Sequence, residues 1–233
     1  MKLRGIVNDG LRREDITEER VAQIRQEAHR IGAFIVMEAE EREAIRREVL
    51  RDVGPDDDVW IFAYGSLMWN PACHVADRVP GLIYGYHRSF WLSTPIGRGS
   101  PEQPGLMLGM EPGGSCRGLA LRIDADHVES ETQIVWRREM LSGAYRAEWV
   151  TVHTDNGPIR AVTFVINRQH ERYVADMPED ETVKALATAE GQLGRCADYL
   201  HNLVLHLDEL GIADGPMHRL MNRVESYQRC NGG

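Results

Sequence analysis

Hydrophobic and polar positions follow three different rhythms along the chain. From about Asp15 to Asp52 the apolar positions Val21, Ile24, Ala28 and Ile31 recur at helical spacing beneath Glu18, Glu19, Arg20 and Arg25, which predicts a charged amphipathic helix. Asp15 and Glu18 suit a capping box at its start. After Gly32 a second helix-favouring stretch sets Met37, Ile45 and Val49 among Glu38, Glu40, Glu41, Arg42, Arg46 and Arg47, so only a narrow stripe is apolar. Such a stripe needs cover, from the main body or from a second copy of the chain. Gly54-Pro55-Asp56-Asp57-Asp58 breaks the helix, dividing a helical N-terminal extension, residues 1–54, from a domain of residues 55–233.

From Val59 to about Ile166 the rhythm shifts towards strands. Short apolar runs at 59–63, 82–86, 106–110, 116–121, 148–152 and 161–166 are punctuated by Gly, Pro, Asn or Asp, which predicts a sheet-rich core. Pro112-Gly113-Gly114 is expected to turn one hairpin and Asp155-Asn156-Gly157 another. One helix, about 125–141, interrupts the strands. The last third is helical again: Asp180 is expected to cap a helix over 181–190, and Leu200, Leu203, Val204, Leu207 and Leu210 stripe a longer one that Gly211 ends. Pro216 opens a final helix with Met217, Leu220, Met221 and Val224 on one face, and Asn231-Gly232-Gly233 is expected to fray.

Composition narrows the function classes. The chain has 233 residues, 42% of them hydrophobic, which is enough for one sizeable core. A formal net charge of −9 argues against nucleic acid and anionic membrane as partners, since both need clustered Lys and Arg. Small molecules remain. Cys73, Cys116, Cys196 and Cys230 are scattered without a C-x-x-C pair, so neither a disulfide framework nor a zinc site is signalled. With no hydrophobic leader over Met1 to Asp9 and no long apolar run, a cytoplasmic location is expected.

Two places could carry chemistry. The apolar strand from Val59 runs straight into Tyr64-Gly65-Ser66, where a tight turn with Gly65 at positive φ would bare consecutive backbone N–H groups as an anion nest. An ordinary strand-ending turn would look the same. In the helix before Leu141, Val128, Thr132, Val135 and Glu139 fall on one face, so the Glu139 carboxylate continues an apolar stripe. Trp136, Met140 and Leu141 add apolar walls, and a carboxylate deprived of water has its pKa raised towards the range useful for proton transfer. An ion pair with Arg137, Arg138 or Arg88 is the competing account. Ser66 lacks the G-x-S-x-G setting of a nucleophile, and the nine histidines show no H-x-x-x-H or H-E-x-x-H spacing, so no metal site is expected. Gly97-Arg98-Gly99-Ser100-Pro101 has no Walker spacing and reads as a flexible loop carrying one cation.

These residues resemble the gamma-glutamylcyclotransferases, specifically the ChaC-type branch that acts on glutathione. Phe62-Ala63-Tyr64-Gly65-Ser66-Leu67-Met68-Trp69 is similar to the family's Tyr-Gly-Ser-Leu loop, and Gly85-Tyr86-His87-Arg88-Ser89-Phe90-Trp91 to its Gly-Tyr-x-Arg-x-Phe-Trp segment. Ser93-Thr94 with Arg98-Gly99, and Arg138-Glu139 ahead of Gly143-Ala144-Tyr145, resemble two further motifs; Cys196 stands where the family commonly has Asn. The likeness spans roughly residues 59–225, leaving the arm outside it. It implies an α+β fold, a small mixed β-barrel flanked by helices, with no metal and no cofactor. It implies Glu139 as general acid and base, and a γ-glutamyl moiety held at Ile61, Phe62, Ala63, Tyr64, Gly65, Ser66 and Leu67. Arg98, Tyr145 and Tyr173 are expected to grip the rest of the peptide. The expected substrate is glutathione and the products 5-oxoproline and cysteinylglycine. Other γ-glutamyl amino acids or amines are the alternative substrates, and a non-catalytic binding or regulatory protein is the alternative outside enzymes.

Overall fold

The computed structural model describes residues 12–231, so the leader reading over Met1 to Asp9 and the fraying of Gly232 and Gly233 lie outside the described residues. These fall into two compact units, one of residues 12–89 and 109–173 and one of residues 90–108 and 174–231. The elements in chain order are α1 (Glu18–Ile31), α2 (Ala39–Val49), β1 (Val59–Ala63), β2 (Asp77–Thr94), β3 (Gly105–Ile123), α3 (Val128–Glu139), β4 (Tyr145–Thr154), β5 (Gly157–Ile166), α4 (Glu179–Thr188), the short β6 (Glu190–Gly191) and β7 (Gly194–Arg195), α5 (Cys196–Glu209) and α6 (Gly215–Asn231). The fold is α+β. Five strands close a barrel in the order β1-β3-β2-β4-β5.

In the first unit β1 pairs antiparallel with β3, Ala63 opposite Leu119, and parallel with β5 at Ile61 and Val162. Val59, Ile61, Phe62, Ala63, Leu121, Val152, Val162 and Phe164 are all 1% exposed or less, and since successive strand residues face opposite sides, β1 is buried on both faces. The barrel is tight where β1 ends, since a Cβ added at Gly118 would stand 2.2 Å from the Ala63 carbonyl oxygen. The β4–β5 hairpin turns at Asp155-Asn156 as expected, with Thr154 opposite Gly157. The other expected hairpin does not exist. Residues 106–110 and 116–121 belong to one continuous strand, because Gly113 at φ 106° and Gly114 at φ 72° take up a local kink without reversing the chain.

The arm folds against the body of its own chain. Thr17, not Asp15, caps α1: its hydroxyl accepts from the Arg20 amide at 3.2 Å, while Asp15 closes a short 3-10 turn on the Arg12 amide. Gly32 ends α1 at φ 62°. α2 departs from its expected pattern, burying Arg42 and Arg46 (4% and 2% exposed) while Ile45 and Val49 are only partly covered. Those arginines face carboxylates and a hydroxyl of α1 and α3, which is worth more to them than solvent. At the end of α2 the Trp149 indole donates to the Val49 carbonyl at 2.8 Å.

The second unit packs α4, α5 and α6 with the ends of β2 and β3. Leu92, Leu106, Leu186, Leu200, Leu203 and Leu207 form its core at 1% exposure or less. Pro178, not Asp180, holds the N-cap position of α4. The α5 stripe and its stop at Gly211, φ 66°, follow the sequence pattern. Cys196 opens α5 with its thiol bonded to the Leu106 backbone at 3.1 Å, and burial pushes that thiol up to about 11, so it is a packing residue. Among the described residues no helix is long and apolar enough to cross a membrane.

Candidate active site

The end of β1 and the end of α3 meet in the first unit. Beyond Ala63 the chain leaves the barrel through Tyr64 and Gly65 into a 3-10 turn, Ser66–Met68. Gly65 stands at φ −139° and ψ −134°, so the expected positive φ is wrong: the bend is made by the 3-10 turn rather than by a left-handed glycine. The turn's carbonyls are used, Gly65 by the Met68 amide at 2.9 Å and Ser66 by the Asn70 amide at 2.8 Å. Its opening N–H groups have no acceptor within the turn, as at any helix start. Tyr64 is pinned beneath it, 8% exposed, with its hydroxyl donating to the Phe164 carbonyl at 2.6 Å.

α3 delivers Glu139 through the face that the sequence indicated. Thr132, Val135 and Trp136 are buried, Trp136 edge-on to Phe164 at 5.2 Å. Arg138 then joins the two ends. Its guanidinium donates to Ser66 Oγ at 2.7 Å and to the Asn70 carbonyl at 2.5 Å, and its Nε lies 3.1 Å from Glu139 Oε1. One cation therefore touches both the 3-10 turn and the carboxylate. Burial raises the Glu139 pKa above the ordinary carboxylate range and outweighs Arg138, which pulls it down. Its side chain is 16% exposed, enough for a reacting group to reach it.

Of the other residues proposed from the sequence, Ile61, Phe62 and Ala63 have buried side chains and can offer a ligand only backbone. Leu67 is 7% exposed. Tyr145 begins β4 opposite Ile166. The Tyr173 hydroxyl donates to Glu111 at 3.2 Å and accepts from Arg168 at 3.2 Å. Arg98 belongs to the second unit and is no mobile cation: it is 5% exposed, 5.1 Å from the Tyr199 ring, and donates to the Arg195 carbonyl at 3.2 Å.

Two charged residues escaped the sequence reading. Arg172 donates to Ser142 Oγ at 3.2 Å, three residues beyond Glu139, and lies 4.6 Å over the Phe34 ring; burial lowers its pKa, although nearby Tyr145 favours the cation. Nothing in Gln169-His170-Glu171-Arg172 signals this beyond its place just after a barrel strand. Glu111 is 2% exposed on β3 with Oε1 lacking a hydrogen-bond partner among the described residues, and burial raises its pKa. It falls between the apolar run 106–110 and Pro112-Gly113-Gly114, where no pattern points to it.

Comparison with known proteins bears on what such a site does. The model of the family described as ChaC-like protein matches residues 59–227. A glutathione-specific gamma-glutamylcyclotransferase of Escherichia coli (strain K12) is 35% identical over 196 residues, covering 84% of this chain and 85% of its own. Residues 59–233 alone cannot supply that coverage, so the likeness reaches into the arm. The human glutathione-specific gamma-glutamylcyclotransferase 1 is 28% identical over 158 residues, 66% of this chain and 71% of its own. Among solved structures, a yeast gamma-glutamylcyclotransferase specific to glutathione superimposes with a TM-score of 0.68 at 21% identity, covering 73% of this chain and 96% of its own, a likeness of fold.

Proposed function

The chain belongs to the ChaC-like protein family, and from that premise we infer that it is a gamma-glutamylcyclotransferase that cleaves glutathione to 5-oxoproline and cysteinylglycine. The observation that carries the residue assignment is the single guanidinium of Arg138 in contact with both Glu139 and Ser66. The free α-amine of the γ-glutamyl group attacks its own side-chain amide carbonyl; a C–N bond closes the five-membered lactam, and the C–N bond to cysteine breaks. No water is consumed.

The amine has a reference pKa near 8 and is mostly protonated at neutral pH, so a base must take its proton and an acid must return one to the leaving nitrogen. Glu139 performs both transfers, and burial, by raising its pKa above the ordinary carboxylate range, moves it towards the range in which one group can accept and return a proton. The amides opening the Ser66–Met68 turn take the substrate carboxylate or the developing oxyanion. Arg172 and Tyr145 suit the glycine carboxylate at the other end of the tripeptide, a cation and a phenol beside the loop that follows Glu139. Because the attack is intramolecular, holding the reactive conformer supplies much of the rate. The scattered cysteines suit a reducing compartment, and we place the reaction in the cytoplasm.

The test is to incubate the purified protein with glutathione, γ-glutamylalanine and γ-glutamyl-ε-lysine in parallel and to assay 5-oxoproline. Glutathione alone should yield it, with equimolar cysteinylglycine. Turnover of the other two compounds but not of the tripeptide would assign a broader cyclotransferase, and no product from any would leave a binding protein.

A further inference from the structure

Away from Glu139, where the chain passes between the Ser66–Met68 turn and β2, a second set of chemically competent groups converges. His74, Asp124 and His127 each offer one ligand atom, and these atoms all lie within 4.8 Å of one another. The two imidazoles stand 5.0 Å apart between centroids at 45°. The backbones that carry them are locked together. The His74 amide donates to Glu131 on α3 at 2.7 Å, the Ala76 amide to the Arg122 carbonyl at 2.8 Å, and the His127 amide to the Asp124 carbonyl at 2.8 Å. The convergence is thus built into the chain path rather than left to free side chains.

We propose that His74, Asp124 and His127 form a binding site for a borderline divalent transition-metal ion, Zn²⁺ being the case argued, which clasps the loop after the Ser66–Met68 turn to the head of α3. Two imidazoles and a carboxylate are a donor set that such ions favour over Mg²⁺ or Ca²⁺, which prefer oxygen. Ligands about 2.0–2.1 Å from a tetrahedral zinc stand roughly 3.3 Å apart, so the exposed histidine rings close on the ion by side-chain rotation alone. Asp124 now meets Arg122 at 2.8 Å, but Arg122 also holds Asp58 at 2.7 Å. Asp124 can therefore turn to a metal without stranding the guanidinium. Water completes the coordination. His127 lies twelve residues before Glu139, roughly 18 Å along the helical path, so the ion acts as a clasp and not in the proton transfers.

The experiment titrates the full chain, stripped with chelator, desalted and free of glutathione, with ZnCl₂ by calorimetry and follows its thermal midpoint. One equivalent should bind and raise the midpoint, with His74→Asn, His127→Asn and Asp124→Asn each weakening binding at least about tenfold. Cys73→Ser should bind as the parent does. Absence of saturable binding in the micromolar range would overturn the site, as would binding that survives in the His74→Asn/His127→Asn double variant or that disappears in Cys73→Ser. Should a variant melt early, Cu²⁺ on the unmodified chain still decides: its spin-resonance spectrum should carry the splitting of two imidazole nitrogens, and a spectrum with none overturns the assignment.

Discussion

Glu131 and Glu139 stand little more than two turns apart on α3, and they have been given opposite environments. Glu131 is 3% exposed, yet both of its oxygens are engaged: Arg13 grips the carboxylate from the arm, at 2.6 Å for one contact, and the His74 amide donates at 2.7 Å. Those donors, Arg13 foremost, hold it below the ordinary carboxylate range despite burial. Glu139 has Arg138 at its side and little else, and burial carries it the other way. Burial alone does not choose between a structural and a reactive carboxylate; the supply of donors does. The arm sets that supply at the head of the helix. It places Arg13 on Glu131 and Arg46 on Thr132 and Glu129, at 2.9 and 2.7 Å, and among its described residues it contributes no donor to Glu139.

The contrast breaks most visibly at Glu139. Glu139→Gln keeps the shape but cannot accept a proton, and kcat with glutathione should fall about 10²-fold or more. Its thermal midpoint should hold or rise. A carboxyl whose folded pKa is raised stabilises the fold only while protonated, so above the ordinary glutamate pKa its charge is a cost that Gln removes. Activity retained within a few-fold would take Glu139 out of the reaction.

Deleting residues 1–52 removes the donors at the head of α3 together. Arg13, Arg42 and Arg46 go, stranding Glu131 and exposing Thr132, so stability should fall by more than any single arm variant costs. The arm also reaches the far end of the helix: the Met37 amide donates to the Leu141 carbonyl at 2.8 Å, and Phe34 lies under Arg172. Turnover of glutathione should therefore persist but with a raised KM, measured alongside thermal melts and light scattering. An arm-less protein as stable as the full chain and wholly inactive would move the arm from support into the site.

Glu131→Gln isolates one element of that support. It should lower stability by about 1–3 kcal/mol while leaving kcat within a few-fold. Because the Glu131 pKa is depressed, its contribution is fully present above the ordinary glutamate pKa and is lost as pH falls through the depressed one. Denaturation curves of parent and variant should then differ at neutral pH and converge in acid. A constant gap across that range would mean that the Arg13 contact is not what Glu131 supplies.

What was legible in the sequence was whatever local periodicity controls. The inward face of α3 follows from helical spacing, the β4–β5 hairpin from Asp155-Asn156-Gly157, and the stop of α5 from Gly211. What failed depended on partners distant in the chain. Gly113 and Gly114 look like a turn, yet they only kink a strand that runs on through them, and Gly65 looks left-handed until the 3-10 turn after it makes the bend. The burial of Arg42 and Arg46 could not be foreseen, because only Glu43 among the carboxylates that make it tolerable lies on the same helix, while Glu18 and Glu129 belong to α1 and α3. Arg172 and the His74, Asp124, His127 cluster share that blindness: spacing rules detect ligands within one element, whereas these groups meet only after folding. Arg138 stood next to Glu139 throughout, but its second contact, with Ser66, is a tertiary fact.

The finest test concerns that residue. Arg138 lowers the Glu139 pKa against the effect of burial, so Arg138→Met should let it climb further, and the acidic limb of kcat/KM should move to higher pH by about one unit. The base form of Glu139 is then scarcer at neutral pH, and the rate there falls for that reason, although the plateau at higher pH should largely survive. The same change frees Ser66 and the Asn70 carbonyl, which should raise KM without regard to pH. Arg138→Lys separates the two effects. An ammonium restores the charge but not the fork, so the limb should return towards its original position while KM stays elevated. If both variants left the limb where it was, Arg138 would be a tether for the 3-10 turn alone, and the electrostatic difference between Glu139 and Glu131 would rest on burial and the arm's donors without it.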